Sequence, residues 1–497
     1  MWSTSLSSTG QSMNIKHLGK YLKKSEDRYY DLLGDTISSK DELKASVDKL
    51  VEKELAAGIQ TIQYQINTLM TTNGQSPFVT LFLELDAKDE YLEYSARIVE
   101  ELIKQRIQGI KNEKGVYSTP SFPKLVYVLD KHNCLEGGKY DYITKLACEC
   151  SAKRMYPDYI SAKQMRKIYD GNVFSPMGCR SFLSPWKNEA GEYVFESRFN
   201  MGVVSLNLPQ IAIVANGDHD KFYKLLENRL ELCKEALLCR YEALKGTKTD
   251  VAPILWQYGA IARLPKGATI DSLLTGGFAT ISLGYIGVYE MTKLMTGKSH
   301  TDKEAQKFAK RVLEILREHC DAWKEETGLG FGLYGTPSEG LCHRFCKLDK
   351  ARFGSIADIT DKDYYTNSYH VDVRENITAF DKLHFESQFQ PISTGGCISY
   401  VELPCINTNI EAVEELVKYI YNNIQYAEFN TKSDNCHDCG FEGEILLDDN
   451  NEWYCPNCGN RDKTRMNVVR RTCGYLGENF WNSGKTSEIK QRVIHLD

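Results

Sequence analysis

Lys124-Leu125-Val126-Tyr127-Val128-Leu129 is the stretch on which the fold turns. Behind its lysine no polar residue interrupts the run, so an extended strand here has no face to give to water and both sides must be covered. Pro120 and Pro123 close the connection that precedes it. Upstream, Phe78-Val79-Thr80-Leu81-Phe82-Leu83 reads as another buried strand, set off by an Asn73-Gly74 turn. Around these strands the period changes to that of a helix. From Lys40 to Met70, residues Leu43, Val47, Leu50, Val51 and Leu55 share one face. Further helices are expected over 87–110, 141–154, 219–245, 284–297 and 302–327, with a strand near 202–207. Buried strands alternating with helices predict a parallel or mostly parallel sheet covered on both faces, in an α/β barrel or a large α/β sheet.

Composition fits that class. Of 497 residues, 42% are hydrophobic and 11% aromatic, enough to exclude a disordered chain. The net charge of −6 supplies no global basic field for nucleic acid. No apolar run reaches the ~20 residues that span a bilayer, and the N-terminus lacks the pattern of a secretion signal, so a cytoplasmic protein is expected. Residues 1–39 are read as a flexible leader and the start of the first helical region, and 40–430 as the α/β catalytic domain. Near residue 430 the composition shifts to Cys, Asn, Asp and Gly, giving a metal module at 431–462 and a terminal segment at 463–497.

Sixteen cysteines point to metal ligation, catalysis or a reducing interior rather than to disulfides, which a chain this long does not need. Cys436-His437-Asp438-Cys439 and Cys455-Pro456-Asn457-Cys458 are two CxxC knuckles fifteen residues apart, the spacing of a four-cysteine zinc ribbon. Gly440 and Gly459 follow them where positive φ is needed. Two disulfides or a redox pair are the alternatives, and paired knuckles suit neither. A closed four-sulfur shell has no open position, so its role is structural.

Beyond the second knuckle stands Arg470-Arg471-Thr472-Cys473-Gly474-Tyr475-Leu476-Gly477, on composition alone a basic, solvated turn. This segment resembles the glycyl-radical loop of the anaerobic (class III) ribonucleotide reductases. So do Thr71-Thr72-Asn73-Gly74-Gln75-Ser76-Pro77-Phe78, the 175–183 stretch SPMGCRSFL, Arg198-Phe199-Asn200-Met201-Gly202-Val203-Val204-Ser205, and the cysteine site placed just before the loop. The likeness runs from about residue 55 to the end of the chain.

The resemblance implies a ten-stranded-type α/β barrel of the glycyl radical enzymes, incomplete at its start, followed by the zinc ribbon and radical loop. It implies that Gly474 carries the radical and that Cys179, on a finger loop at the barrel centre, becomes the thiyl. The chemistry suits the residue types: a glycine Cα radical is delocalised over its flanking amides, and a thiol yields a hydrogen atom to a carbon radical. By the same resemblance Asn200 holds the ribose hydroxyls and Met177 packs beside the thiyl. Gly335, Thr336, Pro337 and Ser338 form the substrate loop, and Glu339 manages protons. The plain alternatives are a turn for Asn200, core packing for Met177 and a surface carboxylate for Glu339.

Expected cofactors are structural zinc, a glycyl radical made by a separate iron–sulfur, S-adenosylmethionine-dependent activase, and formate as co-substrate. Expected partners are that activase, ribonucleoside triphosphates, dNTP or ATP effectors and a second copy of the chain; no membrane or nucleic acid is expected. Family members carry a region before the part matched here, with a regulatory nucleotide-binding cone and a first barrel strand bearing a second cysteine. None of Cys134, Cys148 or Cys150 takes that cysteine's place. The chain is therefore expected to be the C-terminal portion of a split or truncated reductase, with an unpaired barrel edge and a complementary N-terminal fragment. Its rivals are an inactive or regulatory remnant and another glycyl radical enzyme of the pyruvate formate-lyase type, whose finger usually pairs two adjacent cysteines, whereas Gly178 and Arg180 flank Cys179. Two motifs are decoys. Gly330-Phe331-Gly332-Leu333-Tyr334-Gly335 satisfies GxGxxG but opens no helix, and Gly484-Lys485-Thr486 lacks the glycine spacing of a phosphate loop.

Overall fold

Alternate residues of the 124–129 strand enter different cores, which is why its sequence has no polar face. Leu125, Tyr127 and Leu129 pack with Ile98, Val99, Leu102, Ile143 and Ala147 of the covering helices 92–108 and 141–154. Val126 and Val128 point the other way, into a cluster holding Phe174, Phe182 and Tyr426. The computed structural model describes residues 11–68, 79–111, 115, 117–336, 340–406, 408–450, 452–472, 474–478 and 482–496.

Among the described residues nine strands make the wall: β1 (Gln11–Asn14), β2 (Val79–Leu83), β3 (Lys124–Leu129), β4 (Asp158–Ser161), β5 (Asn200–Asn207), β6 (Thr280–Ile286), β7 (Gly330–Gly335), β8 (Ser399–Glu402) and β9 (Tyr426–Asn430). One sheet runs β1-β2-β3-β4-β9-β8, parallel except where β4 meets β9; the other runs β5-β6-β7, all parallel. The amide of Gly335 donates to Gly396 O at 2.8 Å and that of Gly395 to Leu333 O at 2.7 Å, so β7 is tied to the segment that leads into β8. The wall thus continues from β1 round to β5. Between those two edges lies a cavity of about 520 Å³, lined by Met13, Asn14, Phe174, Met177, Arg198 and Phe199 among others.

The structure corrects several expectations. Residues 11–14 belong to no flexible leader: they pair in parallel with Val79–Phe82 and take the edge position that the sequence reading left empty. Four residues without alternation carry no strand signal, and it is the ladder that fixes them. The segment 284–297 is not one helix. Residues 280–286 are β6 and the helix begins at Val288. Ser282 and Gly284 break the apolar run, and Gly284 is small because a Cβ there would fall 2.1 Å from Thr336 Oγ1 and 2.5 Å from Ser205 Oγ. The GxGxxG decoy is β7, a wholly buried strand, and Gly484-Lys485-Thr486 lies within helix 483–491.

Candidate functional site

The SPMGCRSFL stretch forms a tight turn. Met177 N donates to Ser181 O at 2.7 Å and Ser181 N to Met177 O at 3.3 Å, while Gly178 takes φ +66, a conformation that favours glycine. Phe182 N donates to Gly395 O at 3.0 Å, seating the turn on the β7 side of the wall. Cys179 stands at the tip, buried among strands of both sheets. Its sulfur lies 3.8 Å from the Tyr334 hydroxyl of β7, and its carbonyl oxygen 3.0 Å from Lys124 Nζ of β3 and 3.2 Å from the Tyr426 hydroxyl of β9.

From the far end of the chain, a hairpin pairs Val469–Thr472 with Tyr475–Glu478 and turns at Gly474. Gly474 is buried at φ +96, and a Cβ on it would meet Cys179 Cβ and Cys179 O at 3.0 Å each. Adding the bond of about 1.5 Å to that separation puts the Gly474 Cα within about 4.5 Å of Cys179 Cβ. A side chain there would crowd Cys179 and sit at a φ that favours glycine. Two positions 295 apart in sequence are thus in direct contact, as the resemblance implied.

The hairpin is no solvated turn. Arg470 and Arg471 are each 1% exposed, because each has a carboxylate inside. Arg471 pairs with Asp158 of β4 at 2.6 Å and Glu428 of β9 at 3.1 Å, and its guanidinium lies over Tyr156. Burial alone would lower its pKa, but the Asp158 and Glu428 charges more than offset this and raise it. For Glu428 the balance falls the other way: burial outweighs the attraction of Arg471 and pushes its carboxyl up. Lys124 joins the cluster, 2.8 Å from Asp158 Oδ2 and donating to Gly474 O at 2.7 Å.

The other expected residues are distributed along the wall. Met177 lines the 520 Å³ cavity at the base of the finger turn. Asn200, at the start of β5, donates through Nδ2 to Ser282 Oγ at 2.7 Å and Thr280 Oγ1 at 3.1 Å and accepts from Gly202 N at 2.7 Å. Gly335 ends β7 next to Tyr334, and the hydroxyls of Thr336 and Ser205 lie 2.8 Å apart. Pro337, Ser338 and Glu339, and the 71–78 motif up to Phe78, lie outside the described residues.

Cys436, Cys439, Cys455 and Cys458 bring their sulfur atoms within 4.8 Å of one another. Two of the pairs lie 3.7 Å apart, Cys436 with Cys458 and Cys439 with Cys455. The edge of a tetrahedron with about 2.3 Å metal–sulfur bonds is about 3.8 Å, so four thiolates here fit zinc and are too far apart for disulfides. Gly440 and Gly459 take φ +71 and +74 after the knuckles. The module is wired to the hairpin through Asp434, whose Oδ1 accepts from Val469 N at 3.0 Å and pairs with Arg470 at 2.5 Å.

Sequence reading missed Lys124, Asp158, Tyr334, Tyr426, Glu428 and the inward direction of both arginines. The available signal was a charge inside each of three strands that are otherwise wholly buried: Lys124 in KLVYVL, Asp158 in DYIS and Glu428 in YAEFN.

Comparison with known proteins agrees with this geometry. The family profile described as anaerobic ribonucleoside-triphosphate reductase matches residues 4–495. The reductase of that name from Escherichia coli is 45% identical over 452 residues, covering 89% of this chain and 62% of its own length. The chain therefore spans less than two thirds of that relative. Among solved structures, the anaerobic ribonucleotide reductase of Thermotoga maritima superposes with a TM-score of 0.64 at 19% identity, over 98% of this chain and 72% of that one. A glycyl radical enzyme from Archaeoglobus fulgidus gives 0.51 at 11% identity, over 84% and 57%. The barrel is thus the glycyl radical enzyme fold, and the chain belongs to the anaerobic ribonucleoside-triphosphate reductase family.

Proposed function

We propose that this chain carries the radical chemistry of an anaerobic ribonucleoside-triphosphate reductase, converting ribonucleoside triphosphates to 2′-deoxyribonucleoside triphosphates. The observation that carries the reading is the contact of Gly474 with Cys179 in a closed, buried setting. A separate iron–sulfur, S-adenosylmethionine-dependent activase removes one hydrogen atom from Gly474 Cα. Cys179 then gives its thiol hydrogen atom to that carbon, and the sulfur is left as the thiyl. The thiyl takes the 3′-hydrogen of the ribose, water leaves C2′, and formate supplies two electrons and departs as carbon dioxide before the hydrogen returns to C3′.

In this reading Asn200, with Ser282 and Thr280, offers the amide and hydroxyls for the ribose, Met177 packs beside the sulfur, and Gly335 and Thr336 open the loop that meets the phosphates. Pro337 and Ser338 continue that loop, and Glu339 handles protons. The tetrahedral spacing of the four cysteine sulfurs favours structural zinc, which would hold Asp434 under Arg470 and so steady the hairpin. Effector nucleotides, a homodimer and a cytoplasmic location complete the proposal. Among the described residues no helix is long and apolar enough to cross a membrane.

Electron paramagnetic resonance after anaerobic activation tests it, on the chain alone and with a polypeptide supplying the part of the relatives' length that it does not span. A doublet from one remaining Cα hydrogen, lost in Gly474→Ala, is expected. No doublet with a competent activase would remove the assignment and favour the non-catalytic remnant.

A further inference from the structure

We propose that Lys124 is a positioning residue for radical transfer, one ammonium group setting the glycyl hairpin and the finger turn against each other and polarising the carbonyl that adjoins the Gly474 Cα. The inference rests on the reading of Gly474 and Cys179 given above.

An ammonium has three N–H donors. Acceptors from three separate parts of the chain meet this one: Asp158 Oδ2 at 2.8 Å, Cys179 O at 3.0 Å and Gly474 O at 2.7 Å. The lysine side chain is wholly buried, at the head of β3, and its ammonium lies 5.3 Å from the centre of the Tyr426 ring. Its charge balances the cluster, but that accounts for only one of its three bonds, the one to Asp158. Asp158 already has Arg471 at 2.6 Å and the Tyr426 hydroxyl at 2.8 Å. What Lys124 adds is a link between two main-chain carbonyls, and these belong to the very residues between which the hydrogen atom must pass.

Two consequences follow. The first is distance. The finger and the hairpin come from remote parts of the chain, and a shared donor fixes both relative to the rigid wall, where a displacement of about 1 Å costs about 10²-fold in rate. The second is electronic. A radical on Gly474 Cα spreads onto its own carbonyl, and a cation bonded to that oxygen draws spin toward it. In the transfer itself the Cys179 S–H bond breaks and a C–H bond forms at Gly474, one hydrogen atom moving while Lys124 stays protonated. Arginine cannot copy this, because its planar fork does not bring three donors to one point.

The test uses the anaerobically activated reductase. In the wild-type protein grown on ¹⁵N-labelled lysine, pulsed electron paramagnetic resonance should detect a ¹⁵N coupling on the Gly474 radical. In Lys124→Met, the doublet splitting should change and turnover fall by about 10²-fold at unchanged zinc content, with Lys124→Arg recovering the splitting better than the turnover. A wild-type doublet without ¹⁵N coupling, or Lys124→Met with an unchanged splitting and turnover within about twofold, would overturn the inference and leave the radical assignment standing. A wild-type protein with no doublet at all would sink the proposed function, and this inference with it.

Discussion

Replacing Arg471 by methionine isolates what the buried charges do for the hairpin. The stem's bulk is largely kept, while the guanidinium loses Asp158 at 2.6 Å, Glu428 at 3.1 Å and the Phe429 carbonyl at 3.3 Å. Asp158 retains Lys124 at 2.8 Å, so the exposed fault is Glu428, left buried without the charge that answered it. Removing one partner of a buried pair costs about 3–5 kcal/mol. The low end applies, because burial already pushes the Glu428 carboxyl up and the residue can take a proton. About 3 kcal/mol is a large share of the 5–15 kcal/mol of a typical domain, and because 497 residues unfold with an entropy of about 1 kcal/mol per kelvin it should lower the melting temperature by roughly 3 °C. The pH dependence carries a sign. In the variant Glu428 is raised further above its unfolded value, so the folded state holds a proton the unfolded chain does not, and stability is lost as pH rises through the folded pKa. The deficit should therefore be larger at the higher of two pH values. Scanning calorimetry of both proteins at the two pH values measures it. A variant within about 1 °C of wild type at both would refute the claim that these charges hold the hairpin.

Gly474→Ala places a Cβ 3.0 Å from Cys179 at φ +96, so a loss of about 1–3 kcal/mol is expected with no radical doublet, read by calorimetry and paramagnetic resonance. Elemental analysis should find one zinc per chain; stripping it, or Cys436→Ser, should free Asp434 and speed hydrogen exchange at the Val469 amide at least about tenfold, the equivalent of about 1.4 kcal/mol of local opening energy. Burial lowers His495 to about 4, and its Nδ1 accepts from Glu402 N at 2.9 Å, which the protonated ring cannot do. The unfolded chain takes up that proton first, so stability should fall between about pH 6.5 and pH 4, by at most about 3 kcal/mol, and His495→Gln should flatten that limb of the profile.

What could be read from the sequence was what is local. The 124–129 strand and the 141–154 helix fall where their patterns put them, and the two CxxC knuckles close on one point because four consecutive residues suffice to define a knuckle. The β6 strand escaped because Ser282 and Gly284, which line the polar interior beside Asn200 and Thr336, interrupt the run that marks a buried strand. The β1 strand escaped because its order comes from β2 and not from its own residues. Cys179 and Gly474 were found through motifs. Their contact is a property of the barrel, and no spacing along the chain encodes it.

The same limit explains why the arginines of the loop read as surface residues. Arg471, Lys124, Asp158 and Glu428 are each costly inside the molecule when taken singly, and together they form two positive and two negative charges that cancel. Such a set is meaningful only once all three strands and the hairpin are in place. Its location follows from the residue it surrounds. A glycine has no side chain by which it can be anchored, so a glycine that must stay within about 4.5 Å of one sulfur-bearing residue has to be held by its neighbours and by its own carbonyl. Arg470 ties it to the cysteine module through Asp434, Arg471 ties it to β4 and β9, and Lys124 ties its carbonyl to β3. Three cations fix one residue from three directions, and each ends on a carboxylate that a different element supplies or shares.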